Sequence, residues 1–408
     1  MHTSFDDEEL LRELLSNEKA LILYDLDKLK SVLGEIKSVY GNNFIHHFAV
    51  KANPIVEFLK VIVEFGFGLE CASQEEVLIS MATGCKPELI LHDGPAKTQL
   101  EIDSCLQQGI SLVLNDEIEL SRVENSEMLS QSNSLIALRI NPLVGGGSIS
   151  KTSVSVTESK FGLPISSENE IIGHYKRCVW LTGLHVHSGS QGMTLEMMVE
   201  AVKRMVFLAE KVEHKISRKL QWLDIGGGLA FDYREGFAHP SHSEYSASLR
   251  TEIPSLFERT RVCTEFGRSI AASTAIAISK VEKSWHRDGI QHVIGHFGSD
   301  LFIRWALNPD DWHHRIEILG GGELQKTQIH GPLCYHGDKL GRIQMLAKAK
   351  AESLLLIRDV GAYTLSIWAG HCNRVRPLVL ALDRGEIRVL LAAESLDSVV
   401  KKWSYSGP

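Results

Sequence analysis

The 408-residue chain has no two cysteines close together: its seven stand apart at 71, 85, 105, 178, 263, 334 and 372. That scatter leaves no CxxC element for a structural zinc site and no framework for a disulfide-stapled secreted domain. Basic runs are missing too. Lys and Arg number 43 against 51 Asp and Glu, a net charge of −8, which disfavours nucleic acid or an anionic membrane surface as a partner. No apolar stretch approaches the roughly 20 residues of a membrane span. The start, MHTSFDDEELLRELL, is acidic where a signal peptide is basic. A cytoplasmic protein with reduced thiols is expected. The 18 histidines include an HxH (185 and 187) and HH pairs at 46/47 and 313/314, but no third and fourth ligand at metal spacing, so no metal is expected.

What is present is a long alternation of short β-branched or aromatic runs with segments of helical period, the pattern of βα units around a parallel sheet. After LILY at 21–24, eight such runs follow, beginning at 44, 68, 88, 111, 135, 181, 220 and 261. Eight strands in roughly 250 residues predict a (β/α)8 barrel rather than an open doubly wound sheet. Between them, Leu195, Met198, Val202, Met205, Ala209 and Val212 form one helical stripe. Ser73 and Glu76 form a capping box. The Gly/Ser/Thr-rich stretch 143–160 lacks periodicity and reads as a long mobile loop, a candidate lid. Beyond 266 the pattern becomes hairpin-like, with DRGE as a turn, and predicts a mostly β domain. The expected division is an N-terminal segment, 1–30, that joins the β-domain, a barrel over 31–266, and a C-terminal β-domain over 267–408.

Active sites of such barrels lie at the carboxyl ends of the strands. Those ends carry Lys51, Glu70, Asp93, Asn115, Arg139 with Asn141, His187 with Ser190, Gly226 to Gly228, and Glu265 with Arg268. A lysine ending an apolar strand is costly to bury unless it is paired or used as an amine nucleophile, although a strand-exit lysine can also simply reach solvent. A glycine triplet after a strand lets backbone N–H groups approach a phosphate, although by itself it is equally a tight turn. Together these ends suit an anionic, carbonyl-bearing cofactor.

In order and spacing, FAVKANP (48–54), ECASQEE (70–76), LRINP (138–142), SKFG (159–162), HVHSGSQ (185–191), LDIGGG (223–228), EFGRSI (265–270), GPLCYHGD (331–338) and GAYT (361–364) resemble the fold type III pyridoxal-phosphate-dependent decarboxylases, the diaminopimelate and ornithine decarboxylase family. The resemblance implies an alanine racemase-like barrel plus β-domain, pyridoxal 5'-phosphate as cofactor, and a homodimer with shared active sites. It implies that Lys51 carries the cofactor, Glu265 faces the pyridine nitrogen and His187 stacks on the ring. Ser190, Gly226, Gly227, Gly228, Gly267, Arg268 and Tyr363 would hold the cofactor, chiefly its phosphate. Cys334, from the other subunit, would return a proton to the substrate carbon, and Asp338 would bind substrate together with Arg268.

Departures from the family pattern bear on the substrate. Tyr335 replaces the acid that pairs with a distal amine, whereas Arg304, in SDLFIRWALN, keeps the position that binds a distal carboxylate, although Asn308 replaces the tyrosine that follows it. Phe266, Glu70 and His371–Cys372 depart as well. The expected substrate is an amino acid or amino-acid conjugate with a distal carboxylate, as in siderophore or other secondary-metabolite assembly. Alternatives are diaminopimelate decarboxylation in lysine biosynthesis, racemisation on the same fold, and a catalytically silent decoy. The last is opposed by the presence of Lys51, His187, Glu265, Arg268, Cys334, Asp338 and Tyr363.

Overall fold

A computed structural model of the chain describes residues 5–234, 239–320 and 322–405. It separates into two compact units, one of Lys30–Phe231 with Ala238–Ile270, the other of Met1–Leu29, Asp232–Phe237 and Ala271–Pro408. The second division falls later than the sequence boundary at 266/267. Gly267 and Arg268 therefore belong to the barrel unit, because the short helix Arg268–Ala271 follows directly on its last strand.

In the N-terminal segment, Ala20–Asp25 forms β1. The barrel strands follow: β2 (Phe44–Ala49), β3 (Gly68–Cys71), β4 (Ile90–His92), β5 (Ser111–Leu114), β6 (Ile136–Asn141), a two-residue β7 (Leu163–Pro164), β8 (Gly183–Val186), β9 (Trp222–Asp224) and β10 (Val262–Phe266). Their order is β5-β4-β3-β2-β10-β9-β8-β6, and β5 pairs with β6 to close the ring. All the pairings are parallel, as in Val262 beside Phe44 and Leu112 beside Ile136. The extra strand β7 only prolongs the edge of β6.

Closure needs an interior filled by side chains, and Leu91, Val113, Ala137, Trp222 and Cys263 supply it from five strands. Burying a large apolar side chain contributes about 1.5–3 kcal/mol. Trp222 fits because its neighbour is Gly183, where a Cβ would stand 2.3 Å from the indole nitrogen. Outside the barrel, helix Leu195–Ile216 buries Met198, Val202, Met205, Ala209 and Val212 of the expected stripe, while Leu195, at its first position, is half-buried. Helix Gln99–Gln108 begins at a Thr98/Glu101 capping box and stops at Gly109 in a left-handed conformation (φ 75°). At Ser73 the box is displaced by one residue: Ser73 caps Glu76 N–H, but Glu76 accepts from Ala72 N–H at 2.7 Å.

In the other unit, β1 lies between β11 (Ala275–Lys280) and β18 (Leu378–Asp383), antiparallel to the first and parallel to the second. With β14 (Ile316–Leu319), β17 (Leu354–Arg358) and β19 (Glu386–Leu391) they form a six-stranded sheet. β12 (Lys283–Arg287), β13 (Ile290–Ile294), β15 (Leu324–His330) and β16 (Lys339–Ala347) make a separate four-stranded sheet. Leu21, Leu23, Ile276, Ile278, Leu354 and Leu356 meet Leu11 and Leu15 in its core. The DRGE hairpin turns through Arg384 and Gly385, both at positive φ (53° and 84°), a two-residue turn whose twist suits the strands.

Candidate active site

Lys51 sits on a single 3-10 turn, Val50–Ala52, that ends β2. Its Nζ lies 2.7 and 2.8 Å from the two carboxylate oxygens of Glu70, on the adjacent strand β3. The lysine side chain is 36% exposed while Glu70 is fully buried. Burial pushes the Glu70 carboxyl up to about 8 despite the opposing pull of Lys51.

The next ends around the ring meet the same space. Arg139, on β6, donates to Asp93 beyond β4 at 2.8 Å. His185 and His187 are two residues apart, so both point to one side of the strand line. His185 Nε2 is 3.3 Å from Glu265 Oε2 and 3.9 Å from Asp93 Oδ2, and the histidine is fully buried. Burial works to raise Glu265, but the charge and hydrogen bond of His185 outweigh it and hold the carboxyl well below the usual range. Burial likewise works to lower His185, yet Glu265 and Asp93 raise it. Asp224, with Glu265 as its like-charged neighbour, is raised well above an ordinary carboxyl, chiefly by burial. The histidine pattern offered no ligand set in sequence. In space, Asp93, His185 and Glu265 bring ligand atoms within 4.8 Å of one another, and Arg139 already supplies a cation to Asp93 there.

The glycine triplet packs against this network. Gly226 accepts from Glu265 N–H at 2.8 Å, and Gly227 donates to His187 Nδ1 at 3.1 Å. That bond makes Nδ1 an acceptor and leaves the ring neutral, in keeping with the lowering of His187 by burial. A Cβ at Gly227 would stand 2.1 Å from the Glu265 carbonyl oxygen, and one at Gly228 (φ 102°) 2.3 Å from that of Gly189. Side chains are excluded at both positions, so the turn lies backbone against backbone.

The stretch 143–160 is tied down rather than free. Ser155 is buried and donates to Ser188 O at 3.0 Å, Thr152 donates to Gln191 O at 2.6 Å, and Ser190 N–H reaches Thr152 O at 3.2 Å. Hydroxyl side chains aperiodic in sequence still satisfy backbone groups in space, which corrects the expected mobile lid. Gln191 in turn grips the Phe231 backbone with its amide nitrogen at 2.7 Å and its amide oxygen at 3.0 Å.

The second unit holds the other expected residues. Cys334 is exposed. Asp338 is 3% exposed and accepts from Ser299 N–H at 2.7 Å, Ser299 Oγ at 2.8 Å and Leu333 N–H at 2.6 Å. Its carboxylate holds the GPLCYHGD loop in shape. Tyr335 places its hydroxyl 2.5 Å from Ser299 Oγ and its ring edge-on to His371. The Arg304 guanidinium lies over Tyr363 and Trp312, at 4.7 and 5.1 Å from the ring centroids, and Tyr363 has a left-handed backbone (φ 54°).

Residues 26–272 match the family model described as "Pyridoxal-dependent decarboxylase, pyridoxal binding domain". The chain belongs to the pyridoxal-dependent decarboxylases. A diaminopimelate decarboxylase of Helicobacter pylori is 28% identical over 387 residues, covering 92% of this chain and 93% of the relative. One from Archaeoglobus fulgidus is 26% identical, covering 87% and 86%. The structure of a Helicobacter pylori diaminopimelate decarboxylase complexed with L-lysine superposes with a TM-score of 0.87 at 26% identity, over 96% of this chain and 98% of that one. The chain is thus a pyridoxal-phosphate-dependent amino-acid decarboxylase, a carboxy-lyase.

The barrel mouth of this decarboxylase fits the cofactor. Glu265 Oε1 is buried and has no partner among the described residues, an acceptor left open for a ring N–H, and the side-chain-free glycine turn lies close by. His185 escaped the sequence reading as a site residue, although the HxH spacing that put it beside His187 was the available signal.

Proposed function

We propose that Lys51 carries the cofactor and that the open oxygen of Glu265 accepts the hydrogen bond of its ring nitrogen. Glu265 stays ionised and so keeps that proton in place. His187 presents its neutral ring to the cofactor's face, while Ser190, Gly226, Gly227, Gly228, Gly267 and Arg268 take the phosphate by backbone and guanidinium donors. Bound pyridoxal phosphate supplies an electron sink for the electrons left when carbon dioxide departs. The second-unit residues Cys334, Arg304 and Tyr363 keep the roles the family resemblance implies: Cys334 of the partner subunit as proton donor, Arg304 on a distal carboxylate, Tyr363 on the phosphate. The observation that carries this reading is the convergence of the Lys51 amine, the unpartnered Glu265 oxygen and the glycine turn at one end of the barrel.

For the substrate, an amino acid with a distal carboxylate, diaminopimelate is the first candidate, because it is the amino acid in the relatives' names. One feature favours a second reading, a carboxylated conjugate without a distal amine. Tyr335 offers a hydroxyl bonded to Ser299 where a distal ammonium would want a fixed negative charge. A homodimer is proposed as the working form, in keeping with exposed apolar side chains on the second unit such as Leu324, Met345 and Val389. A cytoplasmic location accords with the absence, among the described residues, of any helix long and apolar enough to cross a membrane.

Purified protein should absorb in the visible, and borohydride should fix the cofactor's mass to the Lys51 peptide, with Lys51→Ala colourless and inactive. A screen for carbon dioxide and amine release then ranks meso-diaminopimelate against citrate-linked and other carboxylated conjugates. Loss of optical activity without carbon dioxide would mark a racemase and refute the reading.

A further inference from the structure

We propose that His185 is a positioning residue: a buried cation whose Nε2 faces both Glu265 and Asp93, keeping Glu265 ionised and turning its second oxygen toward the cofactor. The inference rests on the assignment of Glu265 to the ring nitrogen. Glu265 is surrounded by acids, with Glu70 on β3, Asp93 after β4 and Asp224 on β9. The bases facing this space are His47 of β2, Lys51 on the turn that follows it, Arg139 on β6, and His185 and His187 at the end of β8. Arg139 is committed to Asp93 at 2.8 Å and Lys51 to Glu70 at 2.7 Å. His187 is committed as an acceptor to Gly227, and burial lowers His47 to about 4. That leaves His185, at 3.3 Å, as the cation for Glu265. It engages Oε2 only, so Oε1 remains open.

Without that charge, a carboxyl buried beside three others takes up a proton. A protonated Glu265 can no longer hold a proton on the ring nitrogen, and carbanion stabilisation is lost. His185→Gln is the informative substitution, since the amide can keep a donor near Nε2 while removing the charge; His185→Asn serves if the first variant folds poorly.

The test compares holoenzymes. For His185→Gln, kcat at neutral pH should fall by about tenfold or more with KM little changed, and the acid limb of the kcat profile should move up by about one pH unit or more. The visible band of the Lys51-bound cofactor should stay flat from pH 6 to 8 in the wild type and titrate in the variant. Nitrogen NMR of 15N-histidine protein should show one imidazolium at pH 8 that disappears in His185→Gln. A neutral His185 in the wild type at that pH, or an unmoved acid limb in the variants, overturns the inference. Failure of the underlying assignment looks different: the wild type itself takes up no cofactor on Lys51, whereas the NMR signal is unaffected.

Discussion

Gly227→Ala tests the packing of the glycine turn against β10. The added Cβ would start 2.1 Å from the Glu265 carbonyl oxygen, where ordinary contact begins near 3.4 Å, so the turn must retreat by more than 1 Å. The atom it meets is backbone in a closed barrel and cannot swing aside. The retreat breaks the Glu265 N–H bond to Gly226, 2.8 Å, and the Gly227 N–H bond to His187, 3.1 Å. Two net hydrogen bonds and an overpacked contact together cost about 3–5 kcal/mol. At roughly 2–4 °C per kcal/mol for a domain of the barrel's size, Tm should drop by about 10 °C. Because the same shift moves His187 and Glu265, cofactor affinity should fall with it. Gly173→Ala is the matched control: it sits within helix Glu168–Arg177 with nothing within 4 Å of its added Cβ, and should stabilise by about 0.5–1 kcal/mol. Circular dichroism melts and cofactor titration of both variants decide the matter. A Gly227→Ala protein that melts within 2 °C of wild type and binds cofactor equally well, on this roughly ±2 °C scale of measurement, refutes the packing argument.

Burial lowers His242 to about 3, so it contributes stability above pH 6.5 that is lost as pH falls. Between pH 7 and 5 that loss is about 2 kcal/mol, and urea titrations of His242→Phe should show a pH dependence flatter by that amount. An unchanged slope would mean that the histidine is protonated in the fold. Gln191→Ala removes both bonds to the Phe231 backbone, at 2.7 and 3.0 Å, and should cost about 1–3 kcal/mol in denaturant unfolding. The same variant should expose the amides of 188–193 to faster hydrogen exchange, and unchanged protection there would show that the clamp is idle.

The barrel was legible because its signals are local. Eight apolar runs that bury both faces, capping residues such as Thr98 with Glu101, and a helical stripe from Met198 to Val212 each act within a few residues of chain. That Lys51, Glu265 and the glycine triplet come to one end of the barrel was legible for the same reason: a barrel brings strand ends together whatever the loops do. Charge states and partners were not legible, since they depend on atoms distant in sequence. Only folding put His185 against Glu265, 80 residues away, or turned Asp338 inward onto Ser299 and Leu333. The loop 143–160 was misread for this reason, its anchors being the backbone of 188–192. Composition and period thus determined which strands form and what ends them, because those follow from local sterics and apolar burial. Which carboxylate keeps its charge, and which oxygen stays open, was decided by the tertiary structure, because Coulombic pairing and desolvation act through space.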